Sequence, residues 1–183
     1  MVKIFIGVLI ATVIVIAGFM ILDPKINVTK ETNTTLVVDS DSYDGPTLSV
    51  SIEGSVEKEG TYTLKEDATF NDLIIAAGGL NSNADERAFY KDATMTNGMT
   101  YYIPNVYNAN DVCNREAITK VNVNSDSAET LMTINGISAS VASSIVSYRN
   151  TNGTFKYIEE LLNVYGVGNA TYRKVRDYVI LHE

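Results

Sequence analysis

The stretch Val164-Tyr165-Gly166-Val167-Gly168 reads apolar-x-Gly-apolar-Gly, which is typical of a tight turn between two short helices. A related stretch, Ile134-Asn135-Gly136-Ile137-Ser138, lies 30 residues earlier and departs from it at the last position. Apolar residues at helical spacing flank both stretches, which predicts four short helices over residues 128–134, 139–149, 157–164 and 169–180. Asp126 and Glu129 are spaced to form a capping box on the first of them. Two turns at a fixed offset predict an all-α tandem of helical hairpins over residues 122–183.

The chemistry of such a hairpin lies in its turn. Glycine has no Cβ, so the backbone can come close to a ligand. The first N–H groups of the following helix have no partner within the helix and, with the helix dipole, attract an anion. A DNA phosphate suits this site, and a phosphate contact reads no bases. The hairpins therefore predict binding to double-stranded DNA without sequence preference. The opposing interpretation is that the glycines only make tight turns in an inert bundle.

The candidate DNA-binding residues belong to the two turns and to the basic side chains near the second. They are Gly136, Ile137, Ser138, Lys156, Gly166, Val167, Gly168, Asn169, Arg173, Lys174 and Arg176, with Arg149 as a further basic candidate. The Ser138 side chain is expected to crowd the first turn, so the second hairpin is expected to contribute more. A basic cluster on a helix is often only a solvated face, but its place one turn past Gly168 favours phosphate contact.

Charge is distributed unevenly along the chain. The whole chain carries a formal net charge of −8. Residues 24–119 hold 7 basic and 15 acidic side chains, whereas residues 120–183 hold 6 of each. An anion-binding surface is therefore expected in the C-terminal part. One cysteine, one histidine and no tryptophan exclude an intramolecular disulfide, a histidine-based triad and a multi-histidine or cysteine-based metal site. No cofactor is expected.

Residues 47–105 show a different pattern. Leu48, Val50 and Ile52 alternate with polar residues, as in a half-buried strand, and 61–64 and 99–104 predict further strands. Thr69, with Asp72 three residues on, predicts the start of a helix that ends at Gly78-Gly79. The motifs Ile52-x-Gly54-x-Val56, Ala76-Ala77-Gly78-Gly79-Leu80 and Gly98-Met99-x-x-Tyr102-Ile103-Pro104 resemble those of the SLBB family of small β-grasp-like domains. The resemblance implies either a ligand-binding domain or a spacer that self-associates.

The N-terminus predicts a membrane segment. In the run from Ile4 to Leu22, Thr12 is the only polar side chain, and 19 helical residues nearly cross a bilayer core. The run is longer than the core of a cleaved signal peptide, so an uncleaved anchor over residues 1–23 is favoured. Lys3 favours a cytoplasmic N-terminus, with the remainder of the chain outside the cell. Polar linkers are expected at 24–46 and 106–121.

The predicted class is thus α+β multidomain: a transmembrane helix, an SLBB-like domain and a helix-hairpin-helix domain. The two turn motifs, the segment from Val123 to Leu131 and the Phe155-x-x-Ile158-Glu159-Glu160-Leu161-Leu162 stretch resemble the ComEA family of competence DNA receptors. That resemblance implies a cell-surface receptor that captures DNA for uptake in natural transformation, delivers it to an uptake channel and self-associates.

Two alternatives remain open. One is an envelope protein that binds polysaccharide or another ligand through the SLBB-like domain. The other is a DNA enzyme, because glycosylases and nucleases also carry helix-hairpin-helix motifs. The hairpins occupy the whole C-terminal domain and leave no base pocket or metal cluster, so a non-enzymatic protein is expected.

Overall fold

The computed structural model describes residues 36–37, 44–107 and 117–183. The predicted anchor at 1–23 and most of the first predicted linker lie outside these residues. None of the helices in these residues has the length and hydropathy of a membrane-spanning segment. The described residues group as one compact unit.

A four-stranded sheet forms the first half of this unit. Its strands are β1 (Leu36–Val37), β2 (Thr47–Gly54), β3 (Gly60–Lys65) and β4 (Thr100–Ile103), in the spatial order β1-β3-β2-β4. Strand β2 pairs antiparallel with β3 and parallel with β4. The predicted alternation is confirmed, because Leu48, Val50 and Ile52 are buried against the core.

Helix α1 (Phe70–Ala76) packs on this sheet through Phe70, Leu73 and Ile74. The predicted start is confirmed: the Thr69 N–H and hydroxyl both donate to Asp72 Oδ2 at 2.8 Å. A short 3₁₀ helix, Glu86–Ala88, follows in the connection to β4.

The second half contains the two hairpins. The first consists of α2 (Ala128–Leu131) and α3 (Ala139–Asn152), and the second of a 3₁₀ helix (Ile158–Asn163) and α4 (Asn169–Val175). The predicted capping box of α2 is wrong. Ser127 is the N-cap and accepts from the Thr130 N–H, while Asp126 accepts from the Asn122 N–H. The segment predicted as a helix over 157–164 is a tighter 3₁₀ helix.

The last predicted helix ends earlier than expected. Helix α4 gives way to a 3₁₀ turn, Arg176–Tyr178, and then to strand β6 (Val179–Ile180). Strand β6 pairs parallel with β5 (Val121–Asn122) at the start of the domain. The hairpin domain is therefore not purely helical, because these residues gain ladder hydrogen bonds that close its two ends together. The predicted class is confirmed to the extent that the chain is mixed α and β, with a sheet domain followed by a hairpin domain.

Candidate nucleic-acid interface

Each hairpin turn packs against the second helix of the other hairpin. Gly136 has φ +119°, and a Cβ added there would lie 3.0 Å from Val175 Cγ1 and 3.1 Å from Lys174 Cδ. Gly166 has φ +88°, and a Cβ added there would lie 3.4 Å from Val141 Cγ2. Both glycines are therefore required by the left-handed backbone of the turn. Ile137 and Val167 are buried, so their side chains anchor the turns in the core.

The last position of each turn is the N-cap of the following helix. Ser138 (φ −80°, ψ 166°) and Gly168 (φ −96°, ψ 176°) share one extended conformation that any residue adopts. The Ser138 hydroxyl oxygen accepts the Val141 N–H at 3.3 Å and so occupies one free donor of α3. Gly168 has no side chain, and a Cβ added there meets no described atom within 4 Å. The first N–H groups of α4 therefore have no side-chain cap, and Asn169 beside them is exposed.

Arg173 and Lys174 are the exposed basic residues of α4. The aliphatic stem of Lys174 crosses the first turn, at the position that a Cβ on Gly136 would fill. The second hairpin thus brings positive charge to both turns. The equivalent positions in the first hairpin, 30 residues earlier, are Ser143 and Ser144, which carry no charge.

The other basic candidates are engaged within the protein. The Arg176 guanidinium lies 3.5 Å from the centre of the Tyr102 ring, and Lys156 Nζ lies 5.0 Å from that of Tyr90. Arg149 donates to the carbonyl oxygens of Val123 and Asp126 at 2.7 Å. Arg149 and Arg176 are half-buried in these contacts, whereas Lys156, Arg173 and Lys174 are exposed.

Tyr165 was not among the predicted site residues. It stands immediately before Gly166 and is 85% exposed, far more than the other large apolar side chains of the described residues. Its equivalent in the first hairpin is Asn135, which is also exposed. The available signal was an aromatic residue at the tip of a turn that the sequence already marked as a ligand site.

Glu159 was also not singled out, although it lies in a quoted motif. It is 3% exposed, and burial raises its pKa to about 7, against the opposing hydrogen bond from Tyr172. Nothing in the sequence indicated the burial of this side chain. Glu129, which occupies the equivalent place in the first hairpin, is exposed. In the described residues, no group of three or more His, Cys, Asp or Glu side chains is arranged to hold a metal ion.

Two family models match this chain. Residues 49–104 match the SLBB domain, and residues 116–180 match the helix-hairpin-helix motif. The two matches follow each other in the order predicted from the sequence and account for both halves of the described unit.

Curated proteins show the same division. ComE operon protein 1 of Bacillus subtilis is 28% identical over 160 residues, which cover 81% of this chain and 78% of that protein. An uncharacterized protein of Haemophilus influenzae is 42% identical over 62 residues, 33% of this chain and 55% of that protein. Endonuclease/exonuclease/phosphatase family domain-containing protein 1 of Xenopus laevis is 42% identical over 57 residues, which are 10% of its length. The likeness to the last protein is thus confined to one small module.

The Bacillus relative extends over both modules, whereas the other two cover about a third of this chain. Both modules and their order agree with the resemblance seen in the sequence. The chain thus carries an SLBB domain followed by a helix-hairpin-helix domain, and over both of them it is similar to ComE operon protein 1 of Bacillus subtilis.

Proposed function

We propose that this protein is a non-enzymatic receptor that binds double-stranded DNA through phosphate contacts, without sequence preference, for uptake in natural transformation. The observation that carries the proposal is Gly168. Its φ is ordinary and a Cβ there meets no described atom, so neither conformation nor packing requires glycine. Close approach of a ligand to the start of α4 does require it.

The second support is electrostatic. Arg173 and Lys174 are exposed on the helix that follows Gly168, and the Lys174 stem reaches the first turn. A phosphate backbone that passes both turns would meet both charges. The acidic side chains that dominate residues 24–119 are absent from these positions. Charge and backbone geometry therefore favour the same face of the hairpin domain.

Tyr165 extends this face. Its ring is large, rigid and exposed at the tip of the second hairpin turn. We assign it to contact with the sugar edges beside the bound phosphate. Such a contact adds affinity and reads no sequence.

The proposed cellular setting rests on the resemblance to the ComEA family rather than on geometry. We propose that residues 1–23 anchor the chain in the cell membrane as a single pass, that the rest faces outward, and that the SLBB domain promotes self-association. An uptake channel would receive the DNA. Protease added to wall-stripped cells should digest the outer portion, and complete protection would contradict this topology.

The test is duplex binding by residues 24–183 over a salt series, with several unrelated sequences. The proposal expects equal affinity for all duplexes and a slope of log K against log salt of about −0.9 for each phosphate contacted. Tyr165→Ala should weaken binding without changing that slope, because it removes no charge. Absence of DNA binding, together with binding of an envelope polysaccharide, would favour the alternative function of the SLBB domain.

A further inference from the structure

A set of contacts between the SLBB domain and the second hairpin takes no part in the proposed DNA binding. Glu159 lies at their centre, on the 3₁₀ helix Ile158–Asn163. Its Oε1 accepts two hydrogen bonds of 2.7 Å, one from the Tyr102 backbone N–H of β4 and one from the Tyr172 hydroxyl of α4. One buried carboxylate thus joins the edge of the sheet to the helix that carries Arg173 and Lys174.

Tyr102 makes further contacts on the same side. Its hydroxyl donates to Asp177 Oδ1 at 2.7 Å, and its ring lies under the Arg176 guanidinium at 3.5 Å. Burial, followed by the hydrogen bond to Asp177, raises the pKa of Tyr102, so this hydroxyl stays a donor at neutral pH. Tyr102 alone therefore contacts three ionisable side chains of the hairpin domain.

A second group of contacts lies nearby. The Leu181 N–H donates to the Arg87 carbonyl oxygen at 2.7 Å, and the Tyr90 N–H donates to the Lys156 carbonyl oxygen at 3.0 Å. The Tyr101 and Tyr157 rings meet edge to face, with their centres 5.0 Å apart. The two hydrogen bonds join backbone atoms of both domains, so they fix the domains against each other.

An ion pair adds to this second group. Lys120 Nζ lies 2.8 Å from Asp85 Oδ2, and both side chains are only 2% exposed. Burial opposes the charge on Asp85, but hydrogen bonds from Arg87 and Lys120 outweigh it and lower the pKa to about 2. Removing Asp85 would leave Lys120 buried without its ion-pair partner, which is strongly destabilising. Asp85 itself also pairs with Arg87, whose Nε lies 2.9 Å from Asp85 Oδ1.

We propose that Glu159 is a positioning residue that joins the SLBB domain and the hairpin domain into one rigid unit, through Tyr102 on one side and Tyr172 on the other. The joint leaves both turns accessible, since Asn135, Tyr165 and Gly168 are exposed. If the turns bind DNA as proposed above, the SLBB domain then sets the direction in which the DNA is held. The joint itself does not depend on that function.

The joint makes stability depend on pH in a defined direction. Burial raises the pKa of Glu159 to about 7 from 4.5, against the lowering effects of the Tyr172 hydrogen bond and the Arg176 charge. The other titratable groups around it are Tyr101, Tyr102 and Asp177. The folded protein therefore holds the extra proton between about pH 4.5 and 7, and its stability falls as the pH rises through that window. The buried Asp85 is ionised throughout this window.

The test compares Glu159 variants with matched Glu129 variants in residues 24–183. Glu159→Leu removes the acceptor. We expect the protection of the Tyr102 amide from hydrogen exchange to fall about tenfold or more. Calorimetric unfolding should change from one transition into two, because the domains lose their coupling. Glu129→Leu should change neither measurement, since Glu129 occupies the equivalent position in the first hairpin and faces solvent.

Glu159→Gln serves if the leucine variant does not fold. It keeps an oxygen acceptor but does not titrate, so Tyr102 should stay protected and the fall in melting temperature between pH 5 and 8 should shrink. Glu129→Gln should keep the wild-type pH profile. Unchanged Tyr102 protection and a single transition in Glu159→Leu, or an unchanged pH profile in Glu159→Gln, would overturn the joint. Loss of DNA binding alone would overturn only the proposed function.

Discussion

The two hairpins share one pattern of buried and exposed positions and differ in what surrounds them. Leu131, Ile134 and Ile137 are buried, and so are Leu161, Val164 and Val167 at the equivalent positions 30 residues on. The first hairpin carries Ala142, Ser143 and Ser144 where the second carries Tyr172, Arg173 and Lys174. One backbone plan thus supports a small neutral face and a basic face joined to the SLBB domain.

A repeated fold motif therefore does not imply a repeated role. Glu129 and Glu159 occupy equivalent positions, yet one is exposed and the other is buried against β4. Ser138 and Gly168 share one backbone conformation, yet one caps its helix and the other leaves the N–H groups without a side-chain cap. Exchanges between the hairpins can therefore separate what the fold needs from what the ligand needs.

The largest effect is expected at Gly166, where conformation itself is at stake. Gly166→Val places a β-branched residue at φ +88°, with its Cβ against Val141. Strained positive φ lowers the free energy of unfolding by about 1–3 kcal/mol. Thermal unfolding should show this loss, and duplex binding should fall with it. A fully stable Gly166→Val protein would contradict the turn geometry.

The basic pair of α4 should come next. Arg173→Ala with Lys174→Ala is expected to weaken binding to every duplex and to flatten the salt slope by about 1.8, or about 0.9 for each contact. The complementary change, Ser143→Arg with Ser144→Lys, asks whether the first hairpin can acquire the same role. Titrations over a salt series measure both. An unchanged slope in the alanine variant would show that the pair is only a solvated face.

Exchange of the N-cap residues gives a sharper but smaller effect. Gly168→Ser adds a side chain that the same conformation tolerates at Ser138, so the melting temperature should hold or rise slightly. DNA affinity should fall by about tenfold, because the hydroxyl competes with phosphate for a backbone donor. Ser138→Gly should reduce stability by only a few tenths of a kcal/mol and leave binding unimpaired. Equal DNA affinity in wild type and Gly168→Ser would contradict the assignment of Gly168 to phosphate contact, on which the proposed function depends.

Arg176 should produce the smallest change in binding. Its guanidinium is stacked on Tyr102, so Arg176→Ala is expected to leave the salt slope unchanged. Loss of the cation–π contact should lower stability by about 1 kcal/mol. Urea unfolding and the salt series together check this. A flatter slope would return Arg176 to the DNA-binding face, where its position in the sequence had placed it.

The parts of the structure that could be predicted were local. The alternation of Leu48, Val50 and Ile52, the Thr69 cap and the glycine turns depend on residues within a few positions of one another. The predicted elements were wrong where residues pair with partners that are distant in the sequence. The last helix ends at Val175 because Val179–Ile180 pair with Val121–Asn122, and no pattern within residues 169–180 reveals that partner.

The amino-acid sequence was sufficient to predict the order of the modules, the positions of both turns and the part of the chain that is free of excess negative charge. These follow from composition and short-range spacing. The packing of the two domains determines the environment of each basic side chain, because the Arg176 guanidinium lies on the Tyr102 ring while Arg173 and Lys174 face solvent. It also decided the opposite environments of Glu129 and Glu159. Burial and pairing are properties of a packed surface, and in a pseudo-repeated motif only one copy lies against the neighbouring domain.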